Sequence, residues 1–124
     1  MSQNSDTVTM VLGASPHTLR YSNKAVRKLT AHGHAVVAVG NRLNTIGDIQ
    51  IVTGMPELKN VHTVTLYLNA DRQQAYEDYL LSLRPQRIIF NPGAENPRLA
   101  ARAREAGIEA IEACTLVLLS IGEY

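Results

Sequence analysis

The sequence predicts an α/β fold of three layers, in which helices cover both faces of a mostly parallel sheet. Short apolar runs alternate with longer amphipathic segments, which is typical of right-handed βαβ units. The run Ala35–Val39 is apolar throughout, as expected for a strand that is covered on both faces. Two other apolar runs, residues 10–12 and 88–90, stop abruptly at glycine-containing turns, as buried parallel strands do where they meet a ligand crevice.

The first half of the chain predicts three strands and one helix. Apolar residues at helical spacing follow Ser22 and Asn23, which we expect to cap the helix, and Gly33 ends it. The predicted elements are, in order, a strand over residues 7–12, this helix, a strand Ala35–Val39, a loop over 40–48 and a short strand Ile49–Val52.

The second half predicts alternating strands and helices. A helix that opens at Asp71 is expected to end at Arg84, because a residue before proline avoids the helical region. Asn96 offers the cap of the next helix, and Pro97 lies at its first position. The other predicted elements are strands over 61–68, Arg87–Phe90 and 108–113, a helix over 97–106 that Gly107 ends, and an apolar tail of undefined form over 114–121.

Composition favours one small cytoplasmic domain. The chain has 124 residues, which predicts a single domain over 1–124 with a flexible polar arm at 1–6. The net charge is +1 without a basic run, so we expect no nucleic-acid partner. No apolar stretch approaches the roughly 20 residues of a spanning helix, so we expect no membrane partner. The only cysteine, Cys114, excludes an internal disulfide and fits a reducing compartment.

The residues that could carry catalysis or bind a metal do not form a convincing group. His32 and His34 have poor spacing for metal binding and lie in a helix-to-strand turn. Ser15 lacks the Gly-x-Ser-x-Gly context of a nucleophile. Cys114 has no adjoining cation to activate it. The sequence therefore predicts neither catalytic residues nor a metal site.

The turn after the first strand, Gly13-Ala14-Ser15, is a candidate phosphate site. A glycine at the end of a strand permits a sharp turn and lets a phosphate approach the backbone amides. The dinucleotide fingerprint G-x-G-x-x-G is not present, because Ser15 and Thr18 occupy its later positions. The sequence leaves two interpretations open: a turn that binds a phosphate and a turn that binds no ligand.

The end of the second strand discriminates better between nucleotides. An NAD site places an acid here to hold the ribose hydroxyls. This chain has Gly40, Asn41 and Arg42 instead, and the nearest acid, Asp48, is too far along. A cation at Arg42 suits a phosphorylated ribose, which indicates NADP or coenzyme A. A solvated loop arginine is the alternative.

Five sequence blocks resemble the small stand-alone CoA-binding proteins, whose Rossmann-like domain is similar to the N-terminal CoA-binding domain of the succinyl-CoA synthetase α subunit. The blocks are Val11-Leu12-Gly13-Ala14-Ser15, Tyr21-Ser22-Asn23, residues 62–69, residues 89–96 and residues 113–120. Many members carry Asn-Pro after the second strand, and this chain has Gly40-Asn41-Arg42 there. The resemblance does not extend to the reaction of the synthetase, whose phosphorylated histidine belongs to a later domain.

The resemblance implies a coenzyme A or acyl-CoA site across the strand ends. Its implied contacts are Gly13, Ala14, Ser15, Arg20, Tyr21 and Ser22 with phosphates, Gly40, Asn41 and Arg42 with ribose and adenine, and Leu68, Asn69, Asn91, Pro92, Gly93 and Ala94 along the rest. We therefore expect a non-catalytic binding or regulatory module. The alternative is a small NADP- or acyl-CoA-dependent enzyme. The apolar tail over 114–121 predicts a possible homodimer, with packing against the chain's own sheet as the alternative.

Overall fold

A single seven-stranded sheet organises the protein. The computed structural model describes residues 7–124, and the arm predicted at 1–6 lies outside them. The strands are β1 Val8–Leu12, β2 Ala35–Val39, β3 Asn44–Ile46, β4 Ile49–Val52, β5 Val61–Leu66, β6 Arg87–Phe90 and β7 Glu109–Glu112. The helices are α1 Tyr21–Ala31, α2 Ala70–Gln73, α3 Glu77–Ser82, α4 Pro97–Glu105 and α5 Thr115–Ser120.

The strand order in the sheet is β3-β4-β2-β1-β5-β6-β7. Neighbouring strands are parallel except at one edge, where β3 pairs antiparallel with β4. From β1 the chain proceeds outward through β2, and it then returns to the other side of β1 with β5. This reversal creates a switch point, and ligands bind beside the carboxyl ends of strands at such a point. The Rossmann-like, mostly parallel arrangement predicted from the sequence is confirmed.

Side chains alternate across the sheet and form two cores. Met10 and Leu12 pack on one face with Leu99 of α4, and α3 covers the same face. Val11 packs on the other face with Leu29 of α1, and α5 covers that face. Because both faces are covered by helices, the three-layer prediction is confirmed.

The first helix begins differently from the prediction. It starts at Tyr21 with Arg20 as its N-cap, and Arg20 makes no side-chain capping bond. Asn23 instead donates its amide to the Ser15 carbonyl at 2.9 Å and accepts a bond from Arg27. Ser22 and Asn23 are therefore buried residues of the first turn rather than caps.

Four other parts of the chain also differ from the sequence prediction. Residues 44–46, predicted as loop, form β3, because pairing with β4 satisfies their backbone. β5 ends at Leu66 rather than at residue 68, level with the end of β1. The helix predicted from Asp71 is divided into α2, a 3-10 turn Gln74–Tyr76 and α3. The tail of undefined form contains α5.

The start of α4 follows its sequence signals. The side chain of Asn96 accepts a bond from the Leu99 amide at 3.2 Å, and Pro97 occupies the first turn. Both the cap and the proline were predicted from the sequence, and both are confirmed.

Candidate functional site

The carboxyl ends of the central strands surround a cavity of about 700 Å³. This volume lies within the range of about 300–1,000 Å³ that is typical of small-ligand sites. Ten of the residues predicted for the site line it: Gly13, Ala14, Ser15, Arg20, Tyr21, Ser22, Gly40, Asn41, Leu68 and Pro92. Five lining residues were not predicted: Leu12, Val39, Tyr67, Arg72 and Tyr76.

The turn after β1 requires its glycine. Gly13 has a φ of +96°, and a Cβ atom there would lie 3.1 Å from the carbonyl carbon of Tyr67. The amides of Gly13 and Ala14 both donate to the Val39 carbonyl, at 2.8 and 2.9 Å. These two amides are therefore engaged within the protein, and the phosphate contacts of Gly13 and Ala14 stay predictions.

The end of β2 packs directly on this turn. A Cβ atom on Gly40 would lie 2.4 Å from the Ala14 carbonyl oxygen and 3.0 Å from a side-chain carbon of Ile51. Only glycine permits this approach of the two backbones. Gly40 therefore sets the spacing between the two turns that form one wall of the cavity.

The amino end of α1 opens into the cavity. Arg20, Tyr21 and Ser22 line it, and the N-cap side chain makes no capping bond. The first amides of a helix have no partner within the helix, and the helix dipole adds partial positive charge at this end. This end of α1 therefore offers backbone donors and a cation to an anionic group.

The charge of the lining is positive. Arg20 reaches it from the β1–α1 segment and Arg72 from α2, and none of the lining residues is acidic. Arg42, the cation predicted for this role, is exposed and does not line the cavity. Arg72 was not predicted as a site residue, although its position in the first helix after β5 indicated that it lies near the strand ends.

Four other predicted residues also lie outside the lining. Asn69 caps α2 by accepting a bond from the Arg72 amide at 2.9 Å. Asn91 is 1% exposed and bonded inside the protein, and Ala94 is packed in the core. Gly93 donates its amide to Glu95. Their direct contact with a ligand, like that of Arg42, stays a prediction.

Tyr67 combines a place in the lining with a buried hydroxyl. Among residues 7–124 this hydroxyl is the one buried side-chain polar atom without a hydrogen-bond partner. The nearby Thr65 and Thr115 hydroxyls bond each other at 2.8 Å instead. Burial raises the pKa of Tyr67 to about 12, although these neighbouring hydroxyls oppose the rise. The hydroxyl therefore stays protonated at neutral pH.

The described residues offer neither a metal centre nor a membrane-spanning helix. Residues 7–124 contain no group of three or more His, Cys, Asp or Glu side chains placed to hold a metal ion. No helix in that part of the chain is long and apolar enough to cross a membrane. Cys114 is partly exposed, precedes α5 and does not line the cavity.

Comparisons with known proteins agree with this geometry. Residues 7–120 match the family described as CoA binding domain. The crystal structure of an uncharacterized protein is similar to this chain, with a sequence identity of 42% and a TM-score of 0.92. The match covers 96% of this chain and 98% of that chain. No curated protein matches the chain.

Two more distant structures show the same fold. A Thermus thermophilus protein is 21% identical, with 98% of this chain and 93% of that chain covered and a TM-score of 0.81. A hypothetical protein from Pyrococcus horikoshii OT3 is 19% identical, with 88% and 78% covered and a TM-score of 0.79.

Proposed function

The chain belongs to the CoA binding domain family, and from this premise we propose that it binds coenzyme A or an acyl-CoA in the cavity at the strand ends. In this proposal it acts as a binding or regulatory module without a reaction of its own. The homodimer and the cytoplasmic location predicted from the sequence stay predictions.

The observation that carries the proposal is the charge of the lining. Coenzyme A has a pyrophosphate and a ribose phosphate, and the lining offers Arg20, Arg72 and the amino end of α1 without any carboxylate. A site for NAD would place an acid after the second strand, where this chain has Asn41. The donor set therefore fits a ligand with several phosphates.

The other walls suit the rest of such a ligand. Tyr67, Leu68 and Tyr76 are among the residues that line the cavity and contribute apolar surface to it. Apolar walls with a few polar groups are typical of ligand sites, and here they suit the uncharged arm of coenzyme A.

The alternative is a small NADP- or acyl-CoA-dependent enzyme. NADP also carries a pyrophosphate and a ribose phosphate, so the two arginines in the lining would suit it too. Family membership favours coenzyme A. A direct comparison of the binding of coenzyme A with that of NADP distinguishes the binding module from the NADP-dependent enzyme.

We expect coenzyme A to raise the melting temperature more than NAD or NADP does. At a ligand concentration of 100 times Kd, binding stabilises the folded state by about 2.7 kcal/mol. Thermal-shift curves with equal concentrations of coenzyme A, acetyl-CoA, NAD, NADP and ADP measure this. A shift with NADP but none with coenzyme A would support the enzyme and overturn the proposal.

We expect Arg20→Ala to weaken coenzyme A and dephospho-CoA alike, because Arg20 lies beside the end of α1 where the pyrophosphate is proposed to bind. A charge-assisted hydrogen bond contributes about 1.5–3 kcal/mol, so the loss should be at least tenfold. Arg42 is the predicted contact of the ribose phosphate. Arg42→Ala should therefore narrow the difference in affinity between coenzyme A and dephospho-CoA.

Calorimetry with both ligands measures these effects, and Arg104→Ala on α4 is the charge-matched control. Unchanged affinity in Arg20→Ala would move the pyrophosphate away from α1. An unchanged difference in Arg42→Ala would assign the ribose phosphate to another residue, with Arg72 as the candidate in the lining.

A further inference from the structure

A second cavity, of about 400 Å³, lies at the opposite ends of the strands from the first cavity. Its lining residues lie at or near the amino ends of the strands: Thr7, Thr9, Gly33, His34, Ala35, His62, Arg87 and Tyr124. None of them lines the cavity at the carboxyl ends. This basic, aromatic cluster therefore belongs to a different site.

A row of polar residues crosses three strands beside the second cavity, and its outer members, Thr9 and Arg87, line the cavity. Thr9, Thr63 and Arg87 are register partners on β1, β5 and β6. Thr9 is 4% exposed and Thr63 is fully buried. The row therefore places buried hydroxyl groups beside the Arg87 side chain.

Arg87 is held in place without an acidic partner among the residues that the structure describes. Its Nε donates to the Thr63 hydroxyl at 2.9 Å, and its guanidinium lies 4.5 Å from the centre of the Tyr124 ring. Tyr124 is fixed in turn by a 2.6 Å bond between its hydroxyl and that of Thr9. No ion pair within residues 7–124 involves Arg87. Guanidinium groups bind carboxylates and phosphates through paired N–H groups, and here the fork is oriented in advance.

Two histidines complete the basic lining. The His34 ring lies 4.8 Å from that of Tyr124, and His62 Nδ1 lies 2.8 Å from the Thr63 hydroxyl. Burial lowers the pKa of both imidazoles, and the positive charge of Arg87 lowers both further. The charges that act on them are therefore mainly positive.

The other titratable groups around the cavity do not change this balance. His32 adds to the repulsion at His34, and the two lining histidines repel each other. Glu109, the register partner of Arg87 on β7, is exposed and partly opposes the effect at His62. It forms no ion pair with Arg87, so residues 7–124 place no acidic side chain within bonding distance of the Arg87 guanidinium.

We propose that the second cavity binds a small ligand through an oxyanion, a phosphate or a carboxylate, held by the Arg87 guanidinium and by the ring nitrogens of His34 and His62. The ligand supplies the negative charge that the described residues around Arg87 do not. This site is independent of the proposed coenzyme A site, so a chain that fails to bind coenzyme A can still bind the anion.

The pH dependence has a definite sign. An anion favours protonated imidazoles, so binding raises the lowered pKa values of His34 and His62. By linkage, affinity rises as pH falls through the range in which these groups take up protons. A carboxylate stays ionised between pH 8 and pH 5.5, so a carboxylate bound by Arg87 alone would show no such dependence over this range.

The test is an NMR titration of the histidine side chains of the full chain with inorganic phosphate, with acetate as the carboxylate arm and sodium chloride at matched ionic strength as the control. We expect saturable shifts of His34 and His62 that sodium chloride does not reproduce. For acetate, which stays ionised over this range, we expect tighter binding at pH 5.5 than at pH 8. Shifts with phosphate alone identify a phosphate site, and shifts with both anions show that carboxylates are accepted. Unchanged resonances with both anions overturn the proposal.

Variants locate the ion. Arg87→Gln should weaken binding at least tenfold, Glu109→Gln should strengthen it, and Arg20→Ala in the other cavity should leave it unchanged. Loss of the shifts in Arg20→Ala with retention in Arg87→Gln would place the ion in the other cavity and overturn the proposal. If Arg87→Gln does not fold, Glu109→Gln decides, because unchanged affinity in that variant would also overturn it.

Discussion

Replacement of Asn91 by alanine is expected to destabilise the protein by about 3–5 kcal/mol, since its amide makes three buried hydrogen bonds and unpaired buried groups cost about 1–3 kcal/mol each. The amide nitrogen donates to the Thr65 hydroxyl at 2.7 Å and to the Leu66 carbonyl at 2.9 Å. The amide oxygen accepts from the Thr115 backbone at 2.8 Å. The substitution would leave these partners without Asn91 and would open a cavity between β5, β6 and α5.

Urea unfolding measures the loss, with Asn44→Ala as the matched control. Asn44 is exposed, and its side chain accepts one local bond, from the Thr45 amide. Its removal should cost less than about 1 kcal/mol. If Asn91→Ala is no less stable than Asn44→Ala, the buried network does not hold α5 in place.

Calorimetry of Asn91→Ala with coenzyme A would separate a ligand contact from a purely structural role of this side chain. The sequence predicts a ligand contact, because Asn91 directly follows a buried strand at the crevice. In the structure, its hydrogen bonds engage both ends of the amide and hold the start of α5 against β5. We therefore expect coenzyme A affinity in Asn91→Ala to fall only as far as the fold itself is disturbed.

Replacement of Gly40 by alanine is expected to destabilise the protein by about 3 kcal/mol, the upper end of the usual cost of overpacking. The new Cβ atom would lie 2.4 Å from the Ala14 carbonyl oxygen, and this backbone is already bonded to Val39. The strand ends would have to separate to admit the methyl group. Because both turns line the cavity, we also expect weaker coenzyme A binding.

Chemical denaturation and calorimetry measure the two effects, and Gly47→Ala is the control. A Cβ atom on Gly47 meets nothing within 4 Å, but its φ is +58°. Left-handed backbone costs a non-glycine residue about 1–2 kcal/mol, so this control loses stability without changing the cavity. Equal coenzyme A affinity in Gly40→Ala and wild type would show that the spacing of the turns does not matter for binding.

Hydrophobic patterning by itself determined much of the fold. The apolar runs of β1, β2 and β6 and the cap of α4 depend on neighbouring residues, so they can be recognised locally. Two strand-to-helix junctions also indicated which edge of the sheet carries the crevice, and ten predicted residues do line a cavity there. The family resemblance supplied the ligand class, which matches the family found over residues 7–120.

Only the tertiary structure decided where the polar side chains lie. Asn91 and Arg42 both follow buried strands, yet one is enclosed by Thr65 and Thr115 and the other is exposed outside the cavity. The row of Thr9, Thr63 and Arg87 likewise exists only because β1, β5 and β6 pair in one register. Local sequence shows how strongly a side chain prefers to be buried. Whether a polar group meets a partner, a ligand or water depends on strands that are far apart in sequence and become neighbours only when the sheet forms.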